Sequence, residues 1–250
     1  MSLQILSDLH LEMISDFNFP VKAKYLALLG DIGYPFENHY KNFIHKQSNR
    51  FEIVFVLAGN HEFYTSEYHS VIKRIQNVCD TAPKKNVYFL NRNVFVLNKT
   101  KIIGATLWSN IELKNVVKLT SSVNDYRKIK LNDNLLSVKD TNEFHKQDLE
   151  FIKNEIDKSR ELKQECVLLT HHAPYHKGTS DPRYEIPNRP LNQAFSTDLS
   201  NIMIWPLKYA CFGHTHYRCN FKLGDTQIIS NALGYRNEID EKLNDVVIEL

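Results

Sequence analysis

The stretch IVFVLAGNHEFY, Ile53 to Tyr64, joins an apolar run directly to glycine, asparagine, histidine and glutamate. The apolar run has the length of a β-strand, and we predict a buried strand over Ile53–Leu57. Polar side chains at the end of a buried strand are costly unless something there requires them. Asn60, His61 and Glu62 are therefore candidate functional residues.

Four other apolar runs end in the same way, in residue types that commonly bind metals. Their polar residues are Asp8 and His10, then Asp31, then His171 and His172, and finally His214 and His216. Any one of them would also suit the start of an ordinary loop, but ligands of open α/β sheets bind beyond the carboxyl ends of the strands. Because the pattern recurs at five strand ends, we predict one shared pocket. In Asp8-Leu-His10 and His214-Thr-His216, a spacing of two on an extended segment places both side chains on one face.

The first third of the chain alternates apolar runs with helical patterns, which predicts a mostly parallel sheet. We expect strands at Leu3–Leu6 and Tyr25–Leu29 besides the strand before Gly59, and helices at Glu37–Arg50 and Ser66–Val78. Thr65 or Ser66 would cap the second helix.

The rest of the chain has a different pattern. The runs Val87–Leu90, Val94–Leu97 and Lys101–Leu107 are separated by turn residues and predict a β-meander. Further along, we expect a helix at Thr141–Leu162, strands at Cys166–Leu169 and Tyr209–Phe212, strands within Phe221–Leu250, and a long loop at Tyr175–Asn192. Long loops in compact domains are often functional, and we expect this loop near the pocket.

Composition excludes several classes of protein. The 250 residues contain no repeat or linker, which favours a single domain over residues 1–250. Lys plus Arg number 31 against 29 Asp plus Glu, so no long nucleic acid is expected as a partner. No signal-peptide pattern and no membrane span are found, and the four cysteines lack metal-binding spacing. We therefore expect a cytoplasmic protein with reduced thiols and no membrane partner.

The ordered motifs resemble those of the calcineurin-like metallophosphoesterase superfamily. They are Asp8-Leu-His10, Gly30-Asp31, Gly59-Asn60-His61-Glu62, His171 and Gly213-His214-Thr215-His216. The resemblance implies an α/β fold of two packed mixed β-sheets flanked by helices, an αββα sandwich. It also implies two divalent metal ions, with the ligands assigned as follows: Asp8, His10 and His216 to one ion, Asn60, His171 and His214 to the other, and Asp31 to both.

This ligand set suits hydrolysis of a phosphate ester. Two divalent ions can activate a shared water to hydroxide and neutralise charge on the phosphoryl oxygens. Nitrogen and oxygen donors without thiolate suit Mn, Fe or Zn. In the family's pattern, His61 matches the residue that donates a proton to the leaving oxygen, and Asp31 is the bridging ligand.

The substrate is expected to be a small phosphorylated molecule. The stretch His171-His172-Ala-Pro is similar to small phosphodiesterases of the superfamily, so a phosphodiester or a nucleotide is favoured over a phosphomonoester. Asn124-Asp125-Tyr126-Arg127 is similar to a segment of bacterial members. His172, Asn124 and Arg127 are therefore candidate substrate contacts, although a polar surface loop explains the last two better and His172 would also suit a loop or a position behind the ligands.

Other possibilities are less compatible with the sequence. Serine/threonine protein phosphatases carry arginines beside the second and third motifs, and none is present here. Purple acid phosphatases lack the histidine found at His10. A closed structural zinc site of Cys211, His214, His216 and Cys219 remains a rival, as does a non-catalytic scaffold with the same fold.

Overall fold

A computed structural model describes residues 1–14, 17–185, 190–235 and 246–250. The described residues form these strands, in chain order: β1 Ser2–Leu6, β2 Tyr25–Leu29, β3 Ile53–Leu57, β4 Val87–Phe89, β5 Asn93–Leu97, β6 Thr100–Ala105, β7 Lys130–Leu131, β8 Asn134–Leu135, β9 Cys166–Thr170, β10 Leu207–Phe212, β11 Cys219–Leu223, β12 Thr226–Ser230 and β13 Val247–Glu249. The α-helices are α1 Asn38–Arg50, α2 Tyr68–Asp80, α3 Val116–Ser122, α4 Asp125–Lys128 and α5 Val138–Glu161.

The strands build two large mixed sheets. The first sheet has the order β13-β1-β2-β3-β4, and its strands run parallel except for β13. The second sheet has the order β11-β12-β10-β9-β6-β5, and its edge strands β11 and β5 are antiparallel to their neighbours. The predicted pair of mixed sheets is therefore confirmed.

The two sheets pack face to face through an apolar layer. Phe55 and Leu57 of β3 belong to one buried cluster with Leu169 of β9 and Cys211 of β10. Because side chains alternate along a strand, Val56 points to the opposite face of the first sheet. There it packs in a cluster with residues of α1 and α2. Helix α5 covers the outer face of the second sheet in the same way, so helices flank the sandwich on both sides.

The predicted β-meander is wrong. Strand β4 pairs in parallel with β3 in the first sheet, whereas β5 and β6 form an antiparallel hairpin in the second sheet. Val87 and Phe89 of β4 are buried with α2 in the outer layer of the first sheet. The turn between β4 and β5 therefore carries the chain from one sheet to the other, which the spacing of apolar runs does not indicate.

The predicted cap of the second helix is also wrong. Helix α2 begins at Tyr68, and the carboxylate of Glu67 accepts hydrogen bonds from the backbone N–H groups of His69 and Ser70 at 3.1 and 2.8 Å. Thr65 instead lies in a turn with a φ of +59°. Its N–H donates to the carbonyl of Lys128 at 2.8 Å, so this residue holds a distant segment rather than the helix.

None of the helices in the described ranges is both long enough and apolar enough to cross a membrane.

Candidate active site

The carboxyl ends of five strands meet at one end of the sandwich. Strands β1, β2 and β3 are neighbours in the first sheet, and β9 and β10 are neighbours in the second. Two of the groups that the following side chains form share Asp31, and in each of them one ligand atom per residue lies within 4.8 Å of the others: Asp8, His10, Asp31 and His216 in the first, and Asp31, His171 and His214 in the second. Asp31 belongs to both groups.

The backbone at these strand ends is left-handed, not extended as predicted. Asp8, His10, Asp31, His214 and His216 all have φ between 47° and 68°. Residues other than glycine adopt this region at a cost, and such strain is concentrated at functional sites. The paired side chains of Asp8-Leu-His10 and of His214-Thr-His216 therefore converge because the chain turns at each of these four residues, and the predicted extended segments are wrong.

In the second group, acceptor atoms face one another. Nδ1 of His171 lies 2.8 Å from the carbonyl oxygen of Leu29, to which it can only donate. Burial lowers the pKa of His171 well below its ordinary value, so the ring is neutral and Nε2 carries a lone pair. This Nε2 lies 3.1 Å from Oδ1 of Asn60 and 3.5 Å from Oδ1 of Asp31. Three acceptors meet there without a hydrogen to separate them.

His214 completes this group. It forms a hydrogen bond with the backbone carbonyl of Ala194, while its buried Nε2 has no hydrogen-bond partner. The ring of Phe195 stacks on the His214 ring with centroids 4.9 Å apart. A histidine held at one nitrogen and bare at the other is the usual arrangement of a metal ligand.

The first group has the same character. Nδ1 of His10 lies 3.0 Å from a carboxylate oxygen of Glu12, which leaves His10 Nε2 facing Nε2 of His216 at 3.1 Å. Nε2 of His216 is 3.5 Å from Oδ1 of Asp8. Nε2 of His10 is 3.9 Å from Oδ2 of Asp31. These nitrogen and oxygen donors fit divalent cations.

The buried carboxylates around Asp31 also favour a bound cation. Burial, together with the nearby carboxylates of Glu62 and Asp8, raises the pKa of Asp31 well above its usual value. Negative groups collected in a buried site are stabilised by cations. Gly59 permits this crowding, since a Cβ at that position would lie 2.2 Å from Oδ1 of Asp31.

His61 lies outside the two groups that share Asp31, but it forms a third group with His10 and Glu12, whose ligand atoms also lie within 4.8 Å of one another. Its Nδ1 lies 3.2 Å from Oε1 of Glu12, the oxygen that also contacts His10, and its Nε2 lies 3.2 Å from the hydroxyl of Tyr235. Burial lowers the pKa of His61, and the hydrogen bond to Glu12 opposes that shift.

Glu12 was missed by the sequence analysis. Burial alone would raise its pKa, but hydrogen bonds from His10 and His61 outweigh burial and lower the pKa to about 2. The alternation Asp8-Leu-His10-Leu-Glu12 is a signal that could have pointed to it.

Glu62 ties two of the strand ends together. Its carboxylate accepts hydrogen bonds from the backbone N–H groups of Asp31, Ile32 and Gly59 at 2.8 to 2.9 Å. Burial raises its pKa to about 7 despite these bonds. The side chain thus fixes the loop that presents Asp31 against the loop that presents Asn60.

A cavity of about 370 Å³ opens over the two groups. Its floor includes Asp31, Asn60, His61, His214 and His216, and its other walls include residues after α3 and residues of the predicted long loop: Val123, Asn124, Tyr184, Leu191 and Asn192. The loop Tyr175–Asn192 therefore borders the cavity, although its residues 186–189 lie outside the described part of the chain.

The three candidate substrate contacts have different placements. Asn124 lines the cavity. Arg127 is exposed and donates to Oδ1 of Asn124 at 2.8 Å, outside the cavity wall. His172 is fully buried behind His214, with ring centroids 4.1 Å apart, and does not line the cavity. The placement of His172 and Arg127 does not support direct contact with a substrate.

The rival cysteine-containing zinc site is wrong. Cys211 lies in the apolar layer between the sheets, while His214 and His216 turn towards Asp and His side chains. Within the described residues, the groups of three or more side chains able to hold a metal contain no cysteine.

Comparisons with known proteins agree with this geometry. A sequence model described as calcineurin-like phosphoesterase matches residues 1–218. The chain is 35% identical over 264 aligned positions to the uncharacterized protein L509 of Acanthamoeba polyphaga mimivirus, covering 94% of this chain and 92% of that protein. Its fold is similar to the crystal structure of phosphopantetheinyl hydrolase from Mycobacterium tuberculosis, with a TM-score of 0.72 at 14% identity, covering 95% of this chain and 90% of that chain.

Proposed function

The chain belongs to the calcineurin-like phosphoesterase family, and from this premise we propose that it hydrolyses a small phosphate ester at a two-metal site. The observation that carries the proposal is the pair of donor groups that share Asp31. In the second group the lone pair of the His171 imidazole faces Oδ1 of Asn60 at 3.1 Å, and in the first group Nε2 of His10 faces Nε2 of His216 at 3.1 Å.

We assign the ligands by group. Asp8, His10 and His216 would hold one divalent ion, Asn60, His171 and His214 the other, and Asp31 both. Mn, Fe and Zn all suit nitrogen and oxygen donors of this kind. When bound, such a pair of ions activates a water for attack on phosphorus and neutralises charge on the phosphoryl oxygens.

His61 is assigned the transfer of a proton to the leaving oxygen. Glu12 holds the ring through Nδ1, and its negative charge opposes the lowering of the His61 pKa that burial causes. Nε2 is then the atom from which the proton leaves, and His61 is part of the cavity wall. A general acid must reach the atom that it protonates, so the position of His61 at the cavity supports the role.

The substrate proposed is a small phosphodiester or a nucleotide. The cavity volume of about 370 Å³ suits a small molecule. Asn124 in the cavity wall offers a side-chain amide to the polar groups of such a substrate. A phosphomonoester is the alternative for the same site, and a non-catalytic scaffold is the second alternative.

A metal-reconstituted activity panel tests the proposal. It compares p-nitrophenyl phosphate, bis-p-nitrophenyl phosphate and cyclic nucleotides, with metal content measured on the same samples. We expect close to two divalent ions per chain and faster turnover of the diesters. Faster turnover of the monoester would support the alternative. Two bound ions without any turnover would support the scaffold, and one ion per chain would overturn the two-metal site.

We also propose that residues 1–250 form a single domain and that the protein works in the reducing cytoplasm. Support for the second point comes from the cysteines, because Cys79, Cys166 and Cys211 are unpaired and buried.

A further inference from the structure

We propose that Asp125 is a positioning residue that fixes the side-chain amide of Asn60, so that the oxygen of this amide faces the metal site and the nitrogen does not. This inference rests on the proposed function, since it takes Asn60 as a metal ligand. Asp125 lies at the start of α4, sixty-five positions away from Asn60 in the chain.

The contacts form a closed triangle of hydrogen bonds. Nδ2 of Asn60 donates to Oδ1 of Asp125 at 2.9 Å and to the hydroxyl of Tyr64 at 3.1 Å. The hydroxyl of Tyr64 in turn donates to the same Oδ1 of Asp125 at 2.8 Å. Asp125 is buried, with 4% of its surface exposed. Every acceptor in the triangle therefore faces the amide nitrogen of Asn60, and the amide oxygen is left for His171 and the metal site.

The need for such a device follows from the chemistry of asparagine. Its side-chain oxygen has lone pairs, whereas its nitrogen carries two hydrogens and cannot bind a cation. The two atoms are close in size, and a rotation of about 180° around the last bond would exchange them. Oδ1 of Asp125 already accepts a hydrogen bond from the hydroxyl of Tyr64, so it presents an acceptor to Asn60 and favours one of the two orientations.

The segment that carries Asp125 is anchored to the segment that follows Asn60. The N–H of Thr65 donates to the carbonyl of Lys128 at 2.8 Å, and the N–H of Lys130 donates to the carbonyl of Ser66 at 3.1 Å. On its other side, the hydroxyl of Tyr126 is 3.1 Å from Oγ1 of Thr141 in α5. Backbone hydrogen bonds between the segment after Asn60 and the segment after Asp125 thus set the distance between the two side chains.

The test is a titration of metal-free protein with Mn²⁺, followed by calorimetry and by metal analysis. In wild type we expect two ions to bind. In Asp125→Asn, the new amide can donate to the oxygen of Asn60. We expect the first ion, at Asp8, His10 and His216, to bind as in wild type. The second ion, at Asn60, His171 and His214, should bind about 10- to 100-fold more weakly, as is typical when a partner of a metal ligand is lost. Asp80→Asn, at the exposed end of α2, is the matched control and should bind both ions as wild type does.

A reciprocal exchange separates orientation from general damage. In the double variant Asn60→Asp with Asp125→Asn, the ligand offers an oxygen in either orientation, and the new amide at position 125 donates to it. Binding of the second ion should recover to within about threefold of wild type if the polarity of this hydrogen bond is what matters. Asn60→Asp alone would face the carboxylate of Asp125 and should not recover.

Tyr64→Phe keeps the test decisive if Asp125→Asn does not fold. Loss of both hydrogen bonds of the Tyr64 hydroxyl, to Asn60 and to Asp125, should weaken the second ion by about 2- to 10-fold, while the affinity for the first ion stays at the wild-type value. Binding of both ions with wild-type affinity in Asp125→Asn and in Tyr64→Phe would overturn the role of Asp125. A wild-type protein that binds fewer than two ions would instead overturn the proposed function itself.

Discussion

Oδ1 of Asn60 and Nε2 of His171 lie 3.1 Å apart, and neither atom has a hydrogen to place between them. The proton of His171 is held at Nδ1 by the carbonyl of Leu29, and the amide nitrogen of Asn60 is held by Asp125 and Tyr64. Two lone pairs directed at each other in a buried site repel unless a cation accepts both. Nε2 of His10 and Nε2 of His216 are equally close, at 3.1 Å.

The first prediction concerns stability with and without metal. Removal of metal with a chelator should lower the melting temperature, and added Mn²⁺ or Zn²⁺ should restore it. An ion at one hundred times its dissociation constant stabilises the folded state by about 2.7 kcal/mol. Differential scanning calorimetry at several metal concentrations measures the effect. His171→Ala, which removes a ligand, should respond less than wild type, and an equal response of the two proteins would contradict the ligand assignment.

The second prediction concerns His61→Asn. If His61 donates the proton, turnover should fall by about 10²- to 10⁴-fold. Metal content should stay at the wild-type value, because the His61 side chain belongs to neither group that contains Asp31. Steady-state kinetics and metal analysis of the same preparation decide the matter. A loss of bound metal would mean that His61 is a ligand and that its assignment here is wrong.

The third prediction concerns Glu12→Gln. With a pKa of about 2, Glu12 is ionised at any ordinary assay pH, and the substitution removes a full negative charge. Its oxygen contacts Nδ1 of both His10 and His61, so one change loosens a metal ligand and the proton donor together. We expect turnover to fall by about 10- to 100-fold. Glu52→Gln, in an exposed pair with Lys24, is the control and should keep full activity. Equal turnover rates for Glu12→Gln and Glu52→Gln would mean that Glu12 has no role in the reaction.

The fourth prediction is a pH-dependent loss of stability in Arg92→Met. Asp148 in α5 is buried and accepts hydrogen bonds from Arg92 at 2.8 Å and from the backbone N–H of Leu107 at 2.9 Å. Burial raises the pKa of Asp148 above its ordinary value of 3.8, and Arg92 opposes this rise. Without Arg92 the folded-state pKa rises further, so the charged carboxylate costs more stability above the unfolded-state pKa.

The direction of this pH dependence follows from the linkage between folding and the protonation of Asp148. At pH 7 the variant should lose about 2 kcal/mol, a value for a charged hydrogen bond whose donor is partly exposed. The loss should shrink as the pH falls through the raised pKa of Asp148 towards 3.8, because a protonated carboxyl group needs no cation. Urea unfolding of both proteins at pH 7 and near pH 4 measures it. A loss that is the same at both pH values would mean that Arg92 acts through packing alone.

Much of the fold could be predicted because its signals are local. Strands β2 and β3 have the predicted bounds, since each apolar run is closed by a glycine or alanine followed by polar residues. Helices α1 and α2 followed from their apolar periodicity, with ends within two residues of the prediction. The fold class followed from the motifs and their resemblance to a family, whose model the chain matches.

Other features depend on residues that are distant in the chain. Strand β4 joined the first sheet and not a meander with β5, because its apolar side chains are buried against α2. His172 lies behind His214, although its neighbour His171 faces Asn60. Neither outcome can be obtained from the order of apolar and polar residues.

The sequence by itself determined the strands and the polar residues at their ends, because hydrophobic period and motif order are properties of short segments. Only the tertiary structure decided how those residues are held. Glu12 contacts two histidines, Glu62 joins two loops, and Asp125 orients an amide that lies sixty-five positions away. Such contacts arise from the packing of two sheets and the loops between them, and hydrogen bonds over that separation leave no periodic signal in the chain.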